Sequence, residues 1–215
     1  MAYPILRGVR AEVQATTSAT KSVTAVTQAD PGVATSTSHG MANGTVGYFT
    51  GVTGMVQLEG QAIRVANTAT NSFDLEKLKT TAFPAFTGTA TFTPIATWNT
   101  IGHATGYQIG GGDANDIDQT TIIDDIEQLV PGILSAQTVT ISGFSNMQSS
   151  AMLAINQAAI DQTALVFRVT LKDNQQRVFR GIPSLSGEGG DVGQSLTGSF
   201  TVRVSGRVMF LPPTA

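Results

Sequence analysis

The sequence contains no cysteine, and only 13% of its 215 residues are charged. The absence of cysteine excludes a disulfide framework, a thiolate metal site and a cysteine nucleophile. The charged fraction is about half of the quarter that is usual in globular proteins. A surface with so few charges repels itself weakly and leaves more area that can be buried against another subunit. The composition therefore favours a protein that works in an assembly.

Positive charge is also scarce, because the chain has only four lysines and a formal net charge of -3. A nucleic-acid-binding protein gains affinity by replacing phosphate counterions with Lys and Arg, so its binding surface is basic. No apolar run approaches the ~20 residues of a membrane-spanning helix. The first residues, Met1 to Pro4, lack the charged and apolar regions of a signal peptide. We expect a soluble protein that is made in a cytoplasm and has no membrane partner.

The first part of the chain is divided by its turn residues. Five short segments typical of strands lie within residues 21–75, separated by turns such as Asp30-Pro31-Gly32 and Asn43-Gly44. They predict a small β accessory module. Residues 1–20, rich in Thr, Ser and Ala, cannot build a core and are interpreted as an N-terminal arm or a frayed terminus. Residues 76–94, which contain two prolines, are interpreted as a connector.

Residues 95–215 are predicted to form a larger β domain. The segment Trp98 to Gly110 has the composition of a strand, and Val139 and Ile141 alternate with threonines as in a half-buried strand. Segments 165–171 and 177–182 flank a polar turn, which predicts a hairpin.

One helix is predicted, over about residues 146–161. Ser145 and Gln148 have the spacing of a capping box, in which each side chain satisfies a free backbone N–H group of the first turn. The apolar stripe of this helix consists of Met147, Ala151, Ile155 and Ala158. The fold class that follows is mainly β: a β-sandwich or barrel with one flanking α-helix, plus the small N-terminal module.

The residues that usually carry chemistry are isolated. His39 and His103 lie in separate segments, and neither is part of a metal-binding motif. No serine stands in a G-x-S-x-G elbow, and the glycine-rich stretches do not open a helix after a strand, as a phosphate-binding loop does. We therefore expect no catalytic, cofactor-binding or metal-binding residues, and no enzyme.

One stretch has an unbalanced charge. Six acidic residues occur between positions 113 and 127 without a Lys or Arg: Asp113, Asp116, Asp118, Asp124, Asp125 and Glu127. Their spacing does not complete a calcium-binding EF-hand loop. Two interpretations remain: a solvated acidic loop, or an acidic surface that lines a channel or contacts another subunit.

The segment 111–135 resembles the tail tube proteins of long, non-contractile-tailed phages. The resemblance is carried by its acidic strand, the following Thr120-Thr121, a long loop and the turn that starts at Pro131-Gly132. It continues through the predicted helix, the hairpin and the segment Thr197 to Gly206, and covers roughly residues 98–211. Residues 44–75 in addition look like a small β module that is common in phage structural proteins. The sequence leaves two roles open for that module: decoration of the outside of a tail tube, or contacts between its stacked subunits.

The resemblance implies a structural virion protein of the phage tail. Such proteins pack into hexameric rings that stack into a hollow tube, with strands of adjacent subunits joined in an inner barrel. The implied partners are further copies of the chain, the tape-measure protein, and the tail terminator and tail tip proteins. DNA would pass through the lumen during ejection without specific binding.

Two sets of residues are candidates for roles in such a tube. An apolar and acidic loop is expected to stack against the next ring, unless it folds back onto its own domain; it contains Ile122, Ile123, Asp124, Asp125, Ile126, Glu127 and Leu129. Asp113, Asp116 and Asp118 are candidates for an acidic lumen wall, because fixed negative charge repels phosphates over a Debye length of ~8–10 Å. Competing hypotheses are a capsid decoration or baseplate protein and, with less support, a carbohydrate-binding β-sandwich.

Overall fold

A computed structural model of the protein describes residues 8–102, 104–123 and 125–213. The fold is mainly β with a single α-helix in the described part of the chain, which confirms the predicted fold class. Its strands are β1 (Arg10–Thr17), β2 (Lys21–Val23), β3 (Ala25–Val26), β4 (Val33–Thr35), β5 (Val46–Thr50), β6 (Ala62–Ala66), β7 (Ser72–Leu75), β8 (Ala90–Ile101), β9 (Ala104–Gly110), β10 (Ala114–Asp118), β11 (Leu129–Leu134), β12 (Thr138–Phe144), β13 (Leu165–Thr170), β14 (Gln176–Gly189) and β15 (Thr197–Leu211). The helix α1 spans Ser150–Ile160, and a short 3-10 turn spans Val56–Leu58.

Thirteen strands form one curled antiparallel sheet. Its order is β3-β4-β7-β6-β5-β8-β1-β13-β14-β15-β12-β9, and β2 also pairs with β8. The long strand β8 belongs to both halves, because its first residues pair with β5 and its last residues pair with β1. Strands β10 and β11 form a separate two-stranded sheet.

Two apolar cores lie on the sheet. The first is built around Phe49, Phe73 and Phe92 from the N-terminal strands, and it also takes in Val178 and Met209 from β14 and β15. The second contains Phe167, Phe179, Phe200 and other residues of β12 to β15, together with the helix. Because strands β13 to β15 supply apolar side chains to both cores, the two halves of the chain share a sheet and part of their packing.

A buried arginine also joins the two halves. Arg64 on β6 is only 1% exposed, and its guanidinium donates two hydrogen bonds of 2.6 Å to the Glu76 carboxylate. It donates further bonds to Gln176 Oε1 on β14, at 3.1 Å, and to the Pro212 carbonyl oxygen, at 2.7 Å. A buried guanidinium needs such a complete set of acceptors, so this residue fixes β6 against the C-terminal strands.

The helix lies where the sequence predicts it, but its first residue is capped differently. Ala151, Ile155 and Ala158 of the predicted stripe are buried, and the first two belong to the second core; Met147, the first residue of that stripe, lies before the helix. The N-cap is Ser149, whose Oγ accepts a hydrogen bond of 3.3 Å from the Met152 N–H. The predicted capping box is wrong, because the Ser145 hydroxyl donates to the Glu188 carboxylate across a loop instead.

Two further segments differ from the sequence-based expectation. Residues 10–17, expected to belong to the N-terminal arm, form β1 between β8 and β13, with Val13 opposite both Asn99 and Phe167. The segment Trp98 to Gly110, expected as one strand, is divided at Gly102 into the end of β8 and the whole of β9. In both cases the strand is defined by partners distant in sequence, which local composition does not show. The proposed boundaries at residues 75 and 95 stay a prediction.

Candidate assembly surface

The chain leaves the large sheet between β9 and β12 through two glycines. Gly111 and Gly112 have φ values of +76° and +89°, a region that glycine adopts without steric cost. A Cβ atom on Gly111 would lie 2.4 Å from the carbonyl oxygen of Ala136, so no other residue fits there without a shift of the backbone. These glycines direct residues 113–135, called the arm below, away from the end of β9.

The arm is a β-hairpin that is closed at its base by hydrogen bonds. The Gly112 N–H donates to Ser135 Oγ at 3.0 Å, and the Ser135 N–H donates to the Asp113 carbonyl oxygen at 2.7 Å. Ile117 pairs with Val130, and Asp118 pairs with Leu129. The acidic strand that the resemblance implies corresponds to β10, but the turn expected at Pro131-Gly132 lies inside β11, so the loop at the tip is shorter than expected.

The tip of the arm is held by Asp118 and Thr120. Asp118 Oδ1 accepts a hydrogen bond of 2.8 Å from the Thr120 N–H, and Thr120 Oγ1 accepts one of 2.9 Å from the Gln128 N–H. Hydrogen bonds from the side chain and then the backbone of Thr120 lower the pKa of Asp118 from its ordinary value. The ionised carboxylate therefore helps to order the tip.

The arm exposes an unusual amount of apolar surface. Fifteen large apolar side chains are exposed in the described part of the chain, and eight of them lie in the arm. They are Ile117, Ile122, Ile123, Ile126, Leu129, Val130, Ile133 and Leu134. Ile122 and Ile123 are 105% and 86% exposed, so within the described residues the arm does not fold back onto its own domain. Exposed apolar surface of this extent is typical of interaction sites.

The acidic candidates lie on the same arm. Asp116 and Asp118 are two residues apart on β10, so their side chains share one face of the hairpin, and Ile117 points to the other face. Asp113 lies at the base, immediately before β10, and Asp125 and Glu127 are exposed at the tip. Asp124 lies outside the described residues. The four ion pairs found among the described residues all lie elsewhere in the fold.

The large sheet has a free edge next to the arm. Within the described part of the chain, β9 pairs with β12 on one side and with no strand on the other. Tyr107 on β9 has a buried hydroxyl without a hydrogen-bond partner. Burial raises the pKa of Tyr107 to about 12, and the nearby Arg177 guanidinium lowers it by a smaller amount. An unpaired edge is a template for a strand of another chain. Sequence reasoning anticipates free edges in general but does not identify this strand.

An apolar groove lies at the other end of the β9–β12 pair, and sequence reasoning missed it. The pocket with this apolar lining is called the groove below; the lining consists of Ile101, Ala104, Ile141, Phe144, Met147, Met152, Leu185 and Phe200. These residues come from β8, β9 and β12, from the loop before α1, from α1 itself, and from β14 and β15. No local pattern in the sequence could have brought them together.

His39 has a structural role. His39 is buried; its Nδ1 accepts a hydrogen bond of 3.0 Å from the Met41 N–H, and its Nε2 lies 3.1 Å from the Ser72 carbonyl oxygen. Since Nδ1 is the acceptor, Nε2 carries the proton and donates to that carbonyl. His103 lies outside the described residues. Across residues 8–102, 104–123 and 125–213, no group of three or more His, Cys, Asp or Glu side chains could hold a metal ion.

Comparison with known proteins identifies one matching family. The sequence profile of the family described as phage tail tube protein, TTP, matches residues 53–212, a range that includes the arm, the helix and the groove. It begins inside the segment interpreted above as an accessory module. Among curated proteins, none matches the chain significantly. Nowhere in the described structure is there a helix with the length and apolar character needed to cross a membrane.

Proposed function

Because the chain belongs to the phage tail tube protein family, we propose that it assembles into stacked hexameric rings whose common lumen conducts the genome during ejection. Membership of this family makes the chain a structural component of the virion tail that self-assembles into a tube with other tail proteins. The hexamer, the stacking contact and the passage of DNA are the parts that we propose.

The observation that carries the proposal is the exposed apolar arm. Eight large apolar side chains stand in water in the isolated chain, and their exposure is unfavourable by about 25 cal/mol per Å² of apolar surface. A monomer would gain nothing from keeping this arm apart from its own core. Contact with a neighbouring ring would remove the apolar surface from water, and the pairing of β10 with β11 satisfies the inward-facing backbone groups of both strands where the arm extends beyond the sheet.

The free edge of β9 supports lateral contacts within a ring. Its N–H and C=O groups on that side have no partner strand among the described residues. Addition of a strand from the neighbouring subunit satisfies these groups and extends the sheet around the ring. The low charge of the sequence is consistent with this, because few charged side chains need to be desolvated.

The acidic face of the arm supports a lumen that does not retain DNA. Asp116 and Asp118 share a face and are exposed, so they would present fixed negative charge to a passing phosphate backbone. We expect that Asp113→Lys together with Asp116→Lys slows DNA ejection, because lysine binds phosphates; Asp118 is left unchanged because its carboxylate holds the tip of the arm. The matched control is Asp173→Lys in an exposed turn of the same domain. Ejection at the wild-type rate would contradict the lumen assignment of these residues.

Other tail proteins are proposed as further partners. The tape-measure protein would occupy the lumen before DNA does, and the terminator and tip proteins would close the two ends of the tube. The exposed arm supports this proposal, because a subunit at the end of a stack lacks one neighbour and has a contact surface left for another tail protein.

Electron microscopy of the purified protein is the experiment that tests the assembly. We expect hollow tubes with six-fold rings at high protein concentration. A variant that lacks residues 119–128, joined by a tight turn between β10 and β11, is expected to remain folded and to form no tubes. Tubes of normal length from this variant would contradict the role of the arm, and a strictly monomeric wild-type protein would contradict the proposed function as a whole.

A further inference from the structure

The groove is an apolar site with a polar rim. Its floor is formed by Ile141 and Phe200, which are buried, and Phe144 stands at the margin with 49% of its surface exposed. Glycines widen the site: a Cβ atom on Gly102 or Gly187 would have no atom within 4 Å. The groove is therefore open to an apolar side chain from outside.

Local hydrogen bonds hold the rim of the groove in place. The Ser145 hydroxyl donates to the Glu188 carboxylate, and the Ser145 N–H donates to the Leu196 carbonyl oxygen at 2.8 Å. These bonds join the loop before α1 to the ends of β14 and β15. The site is preformed, so a ligand does not have to order it.

The arm and the groove lie at opposite ends of the same two strands. The arm is inserted between the end of β9, at Gly110, and the beginning of β12, at Thr138. The groove contains Ala104, at the beginning of β9, and Phe144, at the end of β12. Seven residues of strand separate the two places by about 20 Å. The arm of one chain leaves its sheet at the end remote from its own groove.

We infer that the groove binds the tip of the arm of a second copy of the chain, and this inference rests on the proposed function. The tip carries three exposed isoleucines, Ile122, Ile123 and Ile126, and the groove is lined by apolar side chains. Because the arm and the groove lie at opposite ends of the subunit, the contact between two copies is head-to-tail. A head-to-tail contact between surfaces at opposite ends of a subunit can be repeated from one copy to the next and generates an open stack when the rotation does not close a ring. The groove therefore determines the register of one ring on the next.

A cross-linking experiment tests this contact, and it is simplified by the absence of native cysteine. The double variant Ile123→Cys with Phe144→Cys carries one thiol on the arm and one at the groove. Treatment of assembled protein with a short bifunctional thiol reagent is expected to give a ladder of covalent oligomers, because each chain supplies one arm and one groove. The same reaction is repeated with Ile122→Cys or Ile126→Cys in place of Ile123→Cys. A cross-link can then form whichever of the three tip residues lies nearest to Phe144→Cys.

The matched control pairs Ile123→Cys with Val56→Cys, a residue of the first half that is 59% exposed; we expect no ladder from it. Where a double variant fails to assemble, Ile123→Cys and Phe144→Cys subunits are mixed with an excess of wild-type protein, and a cross-linked dimer that requires both variants is expected. Tubes that give no cross-link with any of the three arm positions would overturn the inference and leave the proposed function intact. Products that stop at dimers for the double variant, or dimers from Ile123→Cys alone, would also overturn it, because they indicate a reciprocal contact. Wild-type protein that forms no tubes would refute the proposed function itself.

Discussion

Replacement of the isoleucines at the tip of the arm tests most directly whether apolar burial drives assembly. The variant changes Ile122, Ile123 and Ile126 to Ser. All three side chains are largely exposed in the single chain, so the substitutions remove no packing from either core. Surface substitutions of this kind change the free energy of unfolding by about 0.5 kcal/mol or less each. We expect the thermal unfolding of the unassembled subunit to stay close to that of the wild type.

The effect on assembly should be much larger. Complete burial of an isoleucine side chain is worth about 1.5–3 kcal/mol. If each tip residue is buried to about half, the three together contribute about 3 kcal/mol to each contact between rings. A change of 1.4 kcal/mol is tenfold in an equilibrium constant, so the critical concentration for tube formation should rise by about two orders of magnitude.

The critical concentration is measured by pelleting tubes from a dilution series and determining the protein that remains in solution. The matched control changes three exposed apolar residues outside the arm to Ser: Val56, Leu153 and Ile160. It should assemble at nearly the wild-type concentration. An equal rise in both triple variants, or no rise in the arm variant, would refute the reasoning.

Three further predictions concern the arm and the joint between the halves. Because the pKa of Asp118 is lowered from its ordinary value of 3.8, its ordering effect on the tip is fully present above that value and is lost as pH falls through the lowered pKa. The protection of the tip amides, measured as their exchange rate relative to the intrinsic rate at the same pH, should therefore fall only at such low pH, and Asp118→Asn should remove this dependence. Gly111→Ala should destabilise the subunit by about 1–3 kcal/mol in thermal unfolding, because both its positive φ and its contact with a carbonyl oxygen exclude a side chain. Arg64→Met should cost about 3–5 kcal/mol in chemical denaturation, because it leaves the carboxylate of Glu76 without its partner in a mostly buried site.

Each of these predictions has a control within the chain. Gly189→Ala should be nearly neutral, since a Cβ atom there would meet nothing within 4 Å; a similar loss at both glycines would contradict the argument for Gly111. Adding Glu76→Gln to Arg64→Met should restore part of the lost stability, because it removes the unpaired charge. A double variant no more stable than Arg64→Met would show that the loss comes from packing. Exchange at the tip that accelerates equally in the Asp118→Asn variant would contradict the role of this carboxylate.

Much of the fold could be predicted because its segments carry their own periodicity. Val139 and Ile141 alternate with polar residues and are buried on β12, and the stripe of α1 repeats at helical spacing. The apolar residues of the arm are mixed with acids and belong to no amphipathic element, so the sequence alone predicts a contact region there. These signals are local, and the sequence contains them in full.

The remaining features depend on residues far apart in the chain. Strand β1 has an ordinary polar composition and exists because β8 and β13 pair with it on both sides. Ser145 and Ser149 both precede residues suited to a first helical turn, and the choice between them depends on Glu188, more than forty residues later. The groove collects side chains from β12, α1, β14 and β15. Such features follow from tertiary packing, which no window of the sequence samples.

In the proposed stack, the placement of the arm and the groove at opposite ends of β9 and β12 would make the two ends chemically different. One terminal ring would present unoccupied hairpins, and the other would present unfilled apolar sites. If the arm of one ring occupies the groove of the next, as proposed, growth at the two ends would proceed through different surfaces and could be stopped by different molecules. A capping protein needs only a mimic of the hairpin or a mimic of the groove to recognise one end and ignore the other, so a single asymmetric subunit is sufficient to orient the whole shaft.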